Sequence, residues 1–321
     1  MRILLTGGAG FIGSHVAEAL LRLGHELTIL DNFNDFYAPR IKEANIEEIR
    51  RCGNFDLRRT DLLDPDGLDR IFRERRPEAI IHLAAYAGVR PSLQNPALYD
   101  RVNVTGTANL LDRARDSGVE AFVFGSTSSV YGVNSKVPFS ETDPLDTPIS
   151  PYAVTKRAAE LLCYTYHYNY GLPVTCLRFF TVYGPRQRPE MAIHKFTRMV
   201  CRGERIPIYH EGKSERDYTF VADIVQGVTA ALERRFDFEV INLGNSRTVP
   251  LLDLVRLIER VTGRRADIEL MPAQPGDVPI TYADIRKARE LLAYAPATPI
   301  EEGVARFVDW FHLSKGFLEG R

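Results

Sequence analysis

The sequence is poor in cysteine and in net charge. Only four of its 321 residues are cysteines, and none belongs to a C-x-x-C pair or to a cysteine–histidine cluster. This spacing predicts free thiols in a reducing compartment rather than disulfides or a zinc site. The formal net charge of −1 leaves no broad positive field for nucleic acid or for an anionic membrane.

Long apolar stretches are also missing. No uninterrupted apolar run reaches the length that spans a membrane, and a strand-like segment begins at Arg2 without the charged region of a signal peptide. We therefore expect a soluble, cytoplasmic protein that binds no metal, no nucleic acid and no membrane. The apolar fraction of 45% is still sufficient for a full globular core.

What the sequence does contain is an alternation of short β-rich runs with helical patterns. The runs are "RILLT", "ELTILD", "FDLRRTD", "AIIHLAA", "AFVFGSTSSVYG" and "PVTCLRFF". Such alternation is typical of parallel sheets built from βαβ units. Residues 121–124 are apolar without alternation, as expected for a strand covered by helices on both faces. The sequence therefore predicts an α/β fold with a doubly wound parallel-sheet (Rossmann) domain.

The first of these runs ends in a glycine-rich turn, "TGGAGFIG", which is followed by a helical pattern. Glycines at such a turn let the backbone approach a pyrophosphate at the helix N-terminus. Their spacing fits both G-x-G-x-x-G and G-x-x-G-x-x-G, so it does not choose among dinucleotide folds. Asp31 ends the second run, where a carboxylate accepts the ribose hydroxyls and repels a 2′-phosphate. We expect NAD rather than NADP; the alternative is an ordinary strand–helix turn followed by a surface aspartate.

The ends of the other runs extend this predicted cofactor site. Asp61 and Leu62 would lie beside the adenine, and residues 83–85 near the phosphates and ribose. The cofactor-binding residues predicted in this way are Gly7, Gly10, Phe11, Ile12, Gly13, Asp31, Asn32, Asp61, Leu62, Leu83, Ala84 and Ala85.

The alternation breaks after Tyr183, where prolines and turns become frequent. We expect an NAD-binding Rossmann domain over residues 1–183, to which the chain returns at about 214–244 through one more helix and strand. Residues 184–213 and 245–321 are expected to form a smaller α/β substrate-binding lobe.

A tyrosine–lysine pair follows the fifth run. In "SPYAVTKRAAELL", Tyr152 and Lys156 lie one helical turn apart, and the run before them ends with hydroxyl side chains at 126–129. Tyr209 and Lys213 repeat the spacing, but no strand before them offers hydroxyls. A neighbouring ammonium and a cationic nicotinamide ring would lower the phenol pKa from about 10 and make it a base. An isolated pair is more often a buried tyrosine with a solvated lysine; the strand and the glycine turn favour the catalytic interpretation.

With these motifs the chain resembles the extended short-chain dehydrogenases/reductases, a family of nucleotide-sugar epimerases, dehydratases and decarboxylases. The resemblance covers nearly the whole chain, through "TGGAGFIG", "HLAA", "RVNVTGT", "STSSVYG", "YAVTK", "RFFTVYGP" and "RDYTFVADIV". It implies that Thr127 orients the sugar hydroxyl, that Tyr152 is the base, and that Lys156 holds the NAD ribose and tunes the tyrosine. It also implies a smaller lobe that binds the sugar nucleotide.

The resemblance extends the list of site residues. To the cofactor site it adds Asn103, Ser126, Tyr152, Lys156, Phe179 and Val182. For a UDP-sugar substrate it implies Arg90, Thr127, Ser128, Tyr152, Thr181, Arg186, Arg188, Ala192, Phe196, Ile208, Tyr209, Arg216 and Asp277. Relatives form homodimers through a helical bundle, and helices around 95–117 and 151–170 carry apolar residues that we expect at such an interface. These residues are Leu110, Leu111, Leu161, Leu162 and Tyr168.

The reaction type is inferred from residues near the triad. Family dehydratases carry an acidic pair after the catalytic threonine, where this chain has Ser128 and Ser129, and decarboxylases carry a glutamate where this chain has "AVT". The motifs "AGVRPS", "RFFTVYGP", "RPEMAIHKFT" and "ERDYTF" resemble most closely the UDP-glucuronate 4-epimerases. They imply an isomerase that oxidises C4 to a 4-keto intermediate and returns hydride to the opposite face.

The segment "GPRQRPEMA" bears on the substrate. We expect Arg188, rather than Arg186, to pair with the C6 carboxylate of a UDP-uronic acid, because a guanidinium matches a carboxylate bidentately. With Thr181 and Arg90, it would also hold that carboxylate against loss of CO₂. Alternatively, the segment is a surface turn whose arginines are solvated or bind phosphate.

Other functions fit parts of the same pattern. They are a UDP-glucose/galactose 4-epimerase, a UDP-glucuronate decarboxylase and, from a different class, a non-catalytic regulator that senses a dinucleotide. Such regulators typically lose the tyrosine or the lysine, and this chain has both.

Overall fold

The protein is described here by a computed structural model covering residues 1–134 and 136–314. Its strands are β1 (Arg2–Thr6), β2 (Glu26–Leu30), β3 (Asp56–Arg58), β4 (Ala79–His82), β5 (Ala121–Thr127), β6 (Val174–Phe179), β7 (Thr181–Tyr183), β8 (Arg205–Ile208), β9 (Glu215–Phe220), β10 (Phe238–Leu243), β11 (Thr248–Pro250) and β12 (Asp267–Leu270). Its helices are α1 (Phe11–Arg22), α2 (Pro39–Arg50), α3 (Pro65–Arg75), α4 (Val89–Gln94), α5 (Pro96–Asp100), α6 (Gly106–Asp116), α7 (Pro151–Tyr170), α8 (Ala192–Arg202), α9 (Val221–Arg234), α10 (Leu251–Thr262), α11 (Arg286–Leu292) and α12 (Ile300–Leu313). None of the described helices is both long enough and apolar enough to cross a membrane.

The largest sheet has seven strands in the order β10-β6-β5-β4-β1-β2-β3, and every pair in it is parallel. The predicted α/β doubly wound fold is therefore confirmed. The strand order reverses between β1 and β4, and in open parallel sheets ligands bind in the crevice at this point. Thr6 is in register with Leu30 on one side and with His82 on the other, so three strand ends meet there.

The segments after Phe180 form smaller sheets. β7, β9 and β11 make a three-stranded sheet, and β8 pairs with β12. Strand β10 pairs with β6 at the edge of the large sheet, and α9 packs against α1. The expected lobe boundaries remain a prediction, because β7 lies inside the range 1–183 yet pairs with β9. Residues 315–321 of that expected lobe lie outside the described part of the chain.

Burial corrects part of the predicted dimer face. Leu110 and Leu111 are fully buried in the core beneath α6, so they cover the sheet and are not spare apolar positions. Leu161 and Tyr168 on α7 are 50% and 74% exposed, while Leu162 packs partly against the core. Of the five predicted interface residues, those that offer exposed apolar surface therefore lie on the outer face of α7.

Candidate active site

A cavity of about 350 Å³ opens at the carboxyl ends of β1, β2, β4 and β5. Its lining includes every predicted cofactor residue except Asn103, namely Gly7, Gly10, Phe11, Ile12, Gly13, Asp31, Asn32, Asp61, Leu62, Leu83, Ala84, Ala85, Ser126, Tyr152, Lys156, Phe179 and Val182. Of the predicted substrate residues it includes Thr127, Ser128, Tyr152, Thr181 and Arg188. The structure thus brings most of the first set and part of the second to one place.

The glycine turn leaves no space for side chains. Gly7 has φ +70, and a Cβ there would lie 2.7 Å from the Ala84 nitrogen. A Cβ on Gly13 would lie 2.2 Å from the Gly7 oxygen. Because both contacts are with backbone atoms, the turn accepts only glycine at these positions. It places the start of α1 against the cavity, where its free N–H groups favour an anion.

Asp31 is more enclosed than the sequence suggested. It is 5% exposed, and its carboxylate accepts hydrogen bonds from the backbone of Ala9 at 3.2 Å and of Phe33 at 2.9 Å. It also pairs with Lys42 at 3.3 Å. Lys42 lines the same cavity and was missed by the sequence reasoning, because it lies on α2 outside any motif. The carboxylate is thus fixed in orientation, and its contact with ribose remains a prediction.

The predicted triad is assembled by β5 and α7. Thr127 ends β5, whereas α7 begins at Pro151 behind the Ser150 cap, whose Oγ accepts from the Ala153 nitrogen at 3.1 Å. This cap fixes the first turn of α7 and hence the place of Tyr152, which lines the cavity together with Thr127. One turn later, the Lys156 ammonium donates to the Gly125 oxygen at 2.7 Å.

Burial dominates the acid–base behaviour of these groups. It raises the pKa of the Tyr152 phenol, while the charge of Arg188 and the nearby Thr127 side chain lower that pKa. Burial lowers the pKa of Lys156 to about 8, and Cys163 and Glu160 oppose that change. Arg188 is therefore a cation that lowers the pKa of Tyr152 in this structure, and the tuning role expected of Lys156 stays a prediction.

Arg188 and Arg186 point in different directions. Arg188 lines the cavity, stacks 5.7 Å from the Phe36 ring and lies 2.9 Å from the Glu190 carboxylate. Arg186 has φ +66 and pairs with Glu18 on α1, outside the cavity lining. The expectation that Arg186 binds substrate is therefore corrected: its guanidinium fastens the loop to α1.

Four other predicted substrate residues form a separate cluster. Arg90 pairs with Asp277 at 2.7 Å and stacks 4.7 Å from the Tyr209 ring. Arg216 donates to the Pro279 oxygen at 3.3 Å and is affected by the charges of Asp277 and Arg90. None of the four lines the described cavity. Their position next to each other is consistent with one anionic group being held between the arginines.

The remaining predicted residues lie elsewhere. Asn103 bonds both the nitrogen and the oxygen of Tyr86 at 2.9 Å, so its side chain holds a loop beside the cavity instead of lining it. Ile208 is fully buried in the core. Phe196 is 6% exposed, and neither Phe196 nor Ala192 lines the cavity. None of these four residues lines the cavity, so their contact with a ligand remains a prediction.

The structure also shows residues behind the site that the sequence reasoning passed over. Glu160 on α7 and Arg178 on β6 form a buried pair beneath the cavity. They lie within "RAAELL" and "CLRFF", and a charged residue inside an otherwise apolar strand was the available signal. Within residues 1–134 and 136–314, no three His, Cys, Asp or Glu side chains are grouped so as to hold a metal ion.

Comparison with known proteins agrees with this site. Residues 4–307 match the sequence profile of the family described as GDP-mannose 4,6 dehydratase. A protein of Thermodesulfobacterium geofontis named UDP-glucuronate 4-epimerase is 43% identical over 96% of this chain and 95% of its own length.

Solved structures show the same likeness. The UDP-glucuronic acid 4-epimerase of Bacillus cereus, in complex with UDP-glucuronic acid and NAD, is 36% identical with a TM-score of 0.92, covering 98% of this chain and 99% of its own. The UDP-glucose 4-epimerase of Thermotoga maritima, with UDP-glucose, is 35% identical with a TM-score of 0.89, covering 98% of this chain and 100% of its own. The chain therefore belongs to the GDP-mannose 4,6 dehydratase family of extended short-chain dehydrogenases/reductases, which its motifs resembled.

Proposed function

We propose that this protein is an NAD-dependent 4-epimerase that converts UDP-glucuronic acid to UDP-galacturonic acid. The observation that carries the substrate assignment is Arg188, a guanidinium that lines the cavity and acts electrostatically on Tyr152. The similarity to proteins named UDP-glucuronate 4-epimerase supports the same assignment.

The residues of the cavity fit NAD. The glycine turn, in which a Gly13 Cβ would lie 2.2 Å from the Gly7 oxygen, brings backbone N–H groups close enough to hold a pyrophosphate. Asp31 and Lys42 would hold the adenosine ribose, and Lys156 the nicotinamide ribose. When bound, NAD supplies the acceptor of the C4 hydride and the donor that returns it.

The protein's own residues handle the proton. Thr127 and Tyr152 line the cavity together, so a C4 hydroxyl bound between them would lose its proton to the Tyr152 oxygen. The positive charge of Arg188 favours the phenolate that this step requires. Sugar rotation and proton return from Tyr152 then complete the epimerisation, with no net redox change.

The substrate carboxylate would replace Glu190 as the partner of Arg188. In the structure the two side chains lie 2.9 Å apart, and Glu190 is exposed enough to turn away. Ser128 and Thr181 also line the cavity and would donate their hydroxyls to the carboxylate. This contact would hold the carboxylate while C4 is a ketone and thereby slow the loss of CO₂.

Replacing Arg188 tests this proposal. Arg188→Ala should lower kcat/KM for UDP-glucuronate by a factor that corresponds to about 2–5 kcal/mol of lost transition-state stabilisation, because the carboxylate loses its charged partner. Turnover of UDP-glucose should be unchanged or raised, and Arg188→Lys should be intermediate because it keeps charge but loses bidentate geometry. The matched control is Arg205→Ala, whose side chain is 63% exposed and pairs with Asp267. An equal loss with both sugars would contradict the proposal.

The second candidate is a UDP-glucose 4-epimerase. It is favoured by the Glu190 contact, because this pair neutralises Arg188 without any substrate carboxylate. The same experiment separates the two: wild-type enzyme that turns over UDP-glucose but not UDP-glucuronate would select this candidate.

We also propose a cytoplasmic homodimer that associates through the outer face of α7. Leu161, Tyr164 and Tyr168 are 50%, 48% and 74% exposed on this face, an unusual amount of apolar surface for one helix. The four free cysteines are consistent with a reducing compartment. Light scattering should give twice the chain mass, and Leu161→Glu should give a monomer; a concentration-independent monomer of the wild type would contradict the proposal.

A further inference from the structure

A charged pair lies buried directly behind the ligand-facing residues. Glu160 on α7 and Arg178 on β6 have side chains that are 1% and 2% exposed. The guanidinium donates to both carboxylate oxygens, each at 2.9 Å. Replacement of such a pair by apolar residues is often neutral or stabilising, so stability alone is a weak reason for its presence.

The pair reaches the cavity through Ser126. The Ser126 hydroxyl donates to the Glu160 carboxylate at 2.6 Å, and Ser126 lines the cavity next to Thr127. Arg178 is the register partner of Ser126 on the neighbouring strand. The end of β5 is therefore fixed both by its own side chain and by the strand beside it.

A second contact runs parallel to the first. Lys156 lies one turn before Glu160 on the same face of α7, and it donates to the Gly125 oxygen at 2.7 Å. Two successive residues of β5, Gly125 and Ser126, are thus bound by two residues one turn apart on α7. Because Tyr152 lies one further turn towards the start of α7, these contacts set its position relative to β5.

Arg178 also has hydrogen-bond partners on the side away from Glu160. Its guanidinium donates to the Tyr131 hydroxyl at 3.0 Å, and that hydroxyl donates to Asn242 at 2.7 Å. Arg157 on α7 adds a contact to Glu160 at 3.0 Å from the more exposed side. Every charged group of this network therefore has a fixed orientation.

We propose that Glu160 and Arg178 are positioning residues for epimerisation: through Ser126 they hold the end of β5 against α7, so that Thr127 and Tyr152 meet at one reacting hydroxyl. The reaction itself is that of the proposed function, but the inference does not depend on Arg188. A displacement of about 1 Å at the reacting groups lowers a rate by about 100-fold, and we expect a loss of this size in kcat when the pair is broken.

Single and paired replacements separate positioning from stability. Glu160→Gln should lower kcat by about 100-fold with KM for the UDP-sugar nearly unchanged, but it also leaves Arg178 without a charged partner. The double variant Glu160→Gln/Arg178→Met removes both charges, so its Tm should return towards that of the wild type while kcat stays low. Recovery of kcat together with Tm would overturn the proposal, because the pair would then be only structural.

Ser126→Ala provides a second test, because it cuts the link and leaves the buried pair intact. We expect a Tm close to wild type and a fall in kcat in the same direction as Glu160→Gln. Arg157→Met is the matched control: it removes the partly exposed partner of Glu160 and should leave kcat within about twofold. Wild-type kcat in Ser126→Ala would overturn the proposal.

Two further readouts distinguish a failure of the positioning role from a failure of the proposed function. The fold loss in kcat should be the same for UDP-glucuronate and UDP-glucose, whereas that of Arg188→Ala should differ between them. Should the wild type turn over neither sugar, the proposed function fails, and hydrogen–deuterium exchange decides the positioning role. Exchange at residues 125–131 should be faster in Ser126→Ala and in the double variant than in Arg157→Met; equal exchange would overturn the proposal.

Discussion

The carboxyl edge of the large sheet and the segments that lie across it differ in how their charged groups are held. At the sheet edge, the contacts join residues that are closer in sequence: Asp31 accepts from the backbone of Phe33, two residues later, and of Ala9, 22 residues earlier, and the glycine turn folds back on itself. Across the cavity they are distant. Arg90 pairs with Asp277, 187 residues later, and Arg186 pairs with Glu18, 168 residues earlier. Motifs therefore describe the first region well, whereas the second depends on tertiary pairing.

The largest effect is expected for a substitution that disrupts only the sheet-edge region. Gly13→Ala places a Cβ 2.2 Å from the Gly7 oxygen, so the turn must open and its N–H groups move away from a bound pyrophosphate. We expect the purified variant to lose NAD and to lose activity by more than about 100-fold with every UDP-sugar. NAD content, measured by absorbance after denaturation, checks this. Gly53→Ala is the matched control, because its nearest neighbour would lie at an ordinary 3.6 Å.

A smaller effect is expected in the opposite region. Arg216→Ala removes one cation from the cluster with Arg90 and Asp277, where we expect the nucleotide diphosphate. KM for both UDP-sugars should rise by about 10- to 100-fold, as for loss of a charge-assisted hydrogen bond, while NAD content and kcat are retained. Steady-state kinetics of both sugars, with Arg205→Ala as control, measures this. Loss of NAD from Arg216→Ala would show that the two regions are not separable.

Much of the sheet-edge region was predictable because its determinants are close in sequence. The turn at Gly7–Gly13, the end of β2 at Asp31 and the helix that carries Tyr152 and Lys156 each combine a strand, a turn and a helix with few residues between them. Asn103 was predicted as a ligand and instead holds a backbone loop, because its partner at Tyr86 becomes visible only in three dimensions.

The segments across the cavity were less predictable for the same physical reason. The sequence predicted both arginines of "GPRQRP" as substrate residues, with Arg188 on the carboxylate. The positive φ at Arg186 and its pairing with Glu18 on α1 turn Arg186 away and leave Arg188 facing the cavity. Glu160 and Arg178 were likewise passed over, because each is isolated in an apolar segment and only the fold brings them together.

The two arginines provide the next prediction, which sharpens the comparison within one loop. Arg186→Met should leave the ratio of UDP-glucuronate to UDP-glucose turnover unchanged, whereas Arg188→Ala should change it strongly. The main effect of Arg186→Met should be on stability: it should lower the free energy of unfolding by about 1–3 kcal/mol, because Glu18 keeps only Arg22 as an ion-pair partner. Thermal unfolding should show a Tm lower by a few degrees. A changed sugar ratio in Arg186→Met would restore Arg186 as a substrate residue.

The smallest expected effect is a pH dependence of stability, and it should be the same in both regions because each contains a buried histidine. Burial, with the charge of Lys156, lowers the pKa of His82 on β4 to about 3, and burial lowers that of His194 on α8 to about 4. Both rings are therefore neutral when folded at pH 5, but they take up protons when unfolded, near pH 6.5. The unfolded state then binds more protons, so stability is complete above about pH 6.5 and is lost as the pH falls towards 4.

The slope of unfolding free energy against pH measures this proton uptake, at up to about 1.4 kcal/mol per pH unit for each histidine. His82 bonds Thr6 at 2.7 Å and Thr107 at 3.0 Å, and His82→Gln keeps a polar group between them. This variant should take up about one proton fewer near pH 5 on unfolding. An unchanged slope in His82→Gln would contradict this prediction, because it would mean that the His82 ring is already protonated in the folded protein. The sheet edge would then hold a charge at a position where burial and two threonine partners favour a neutral ring.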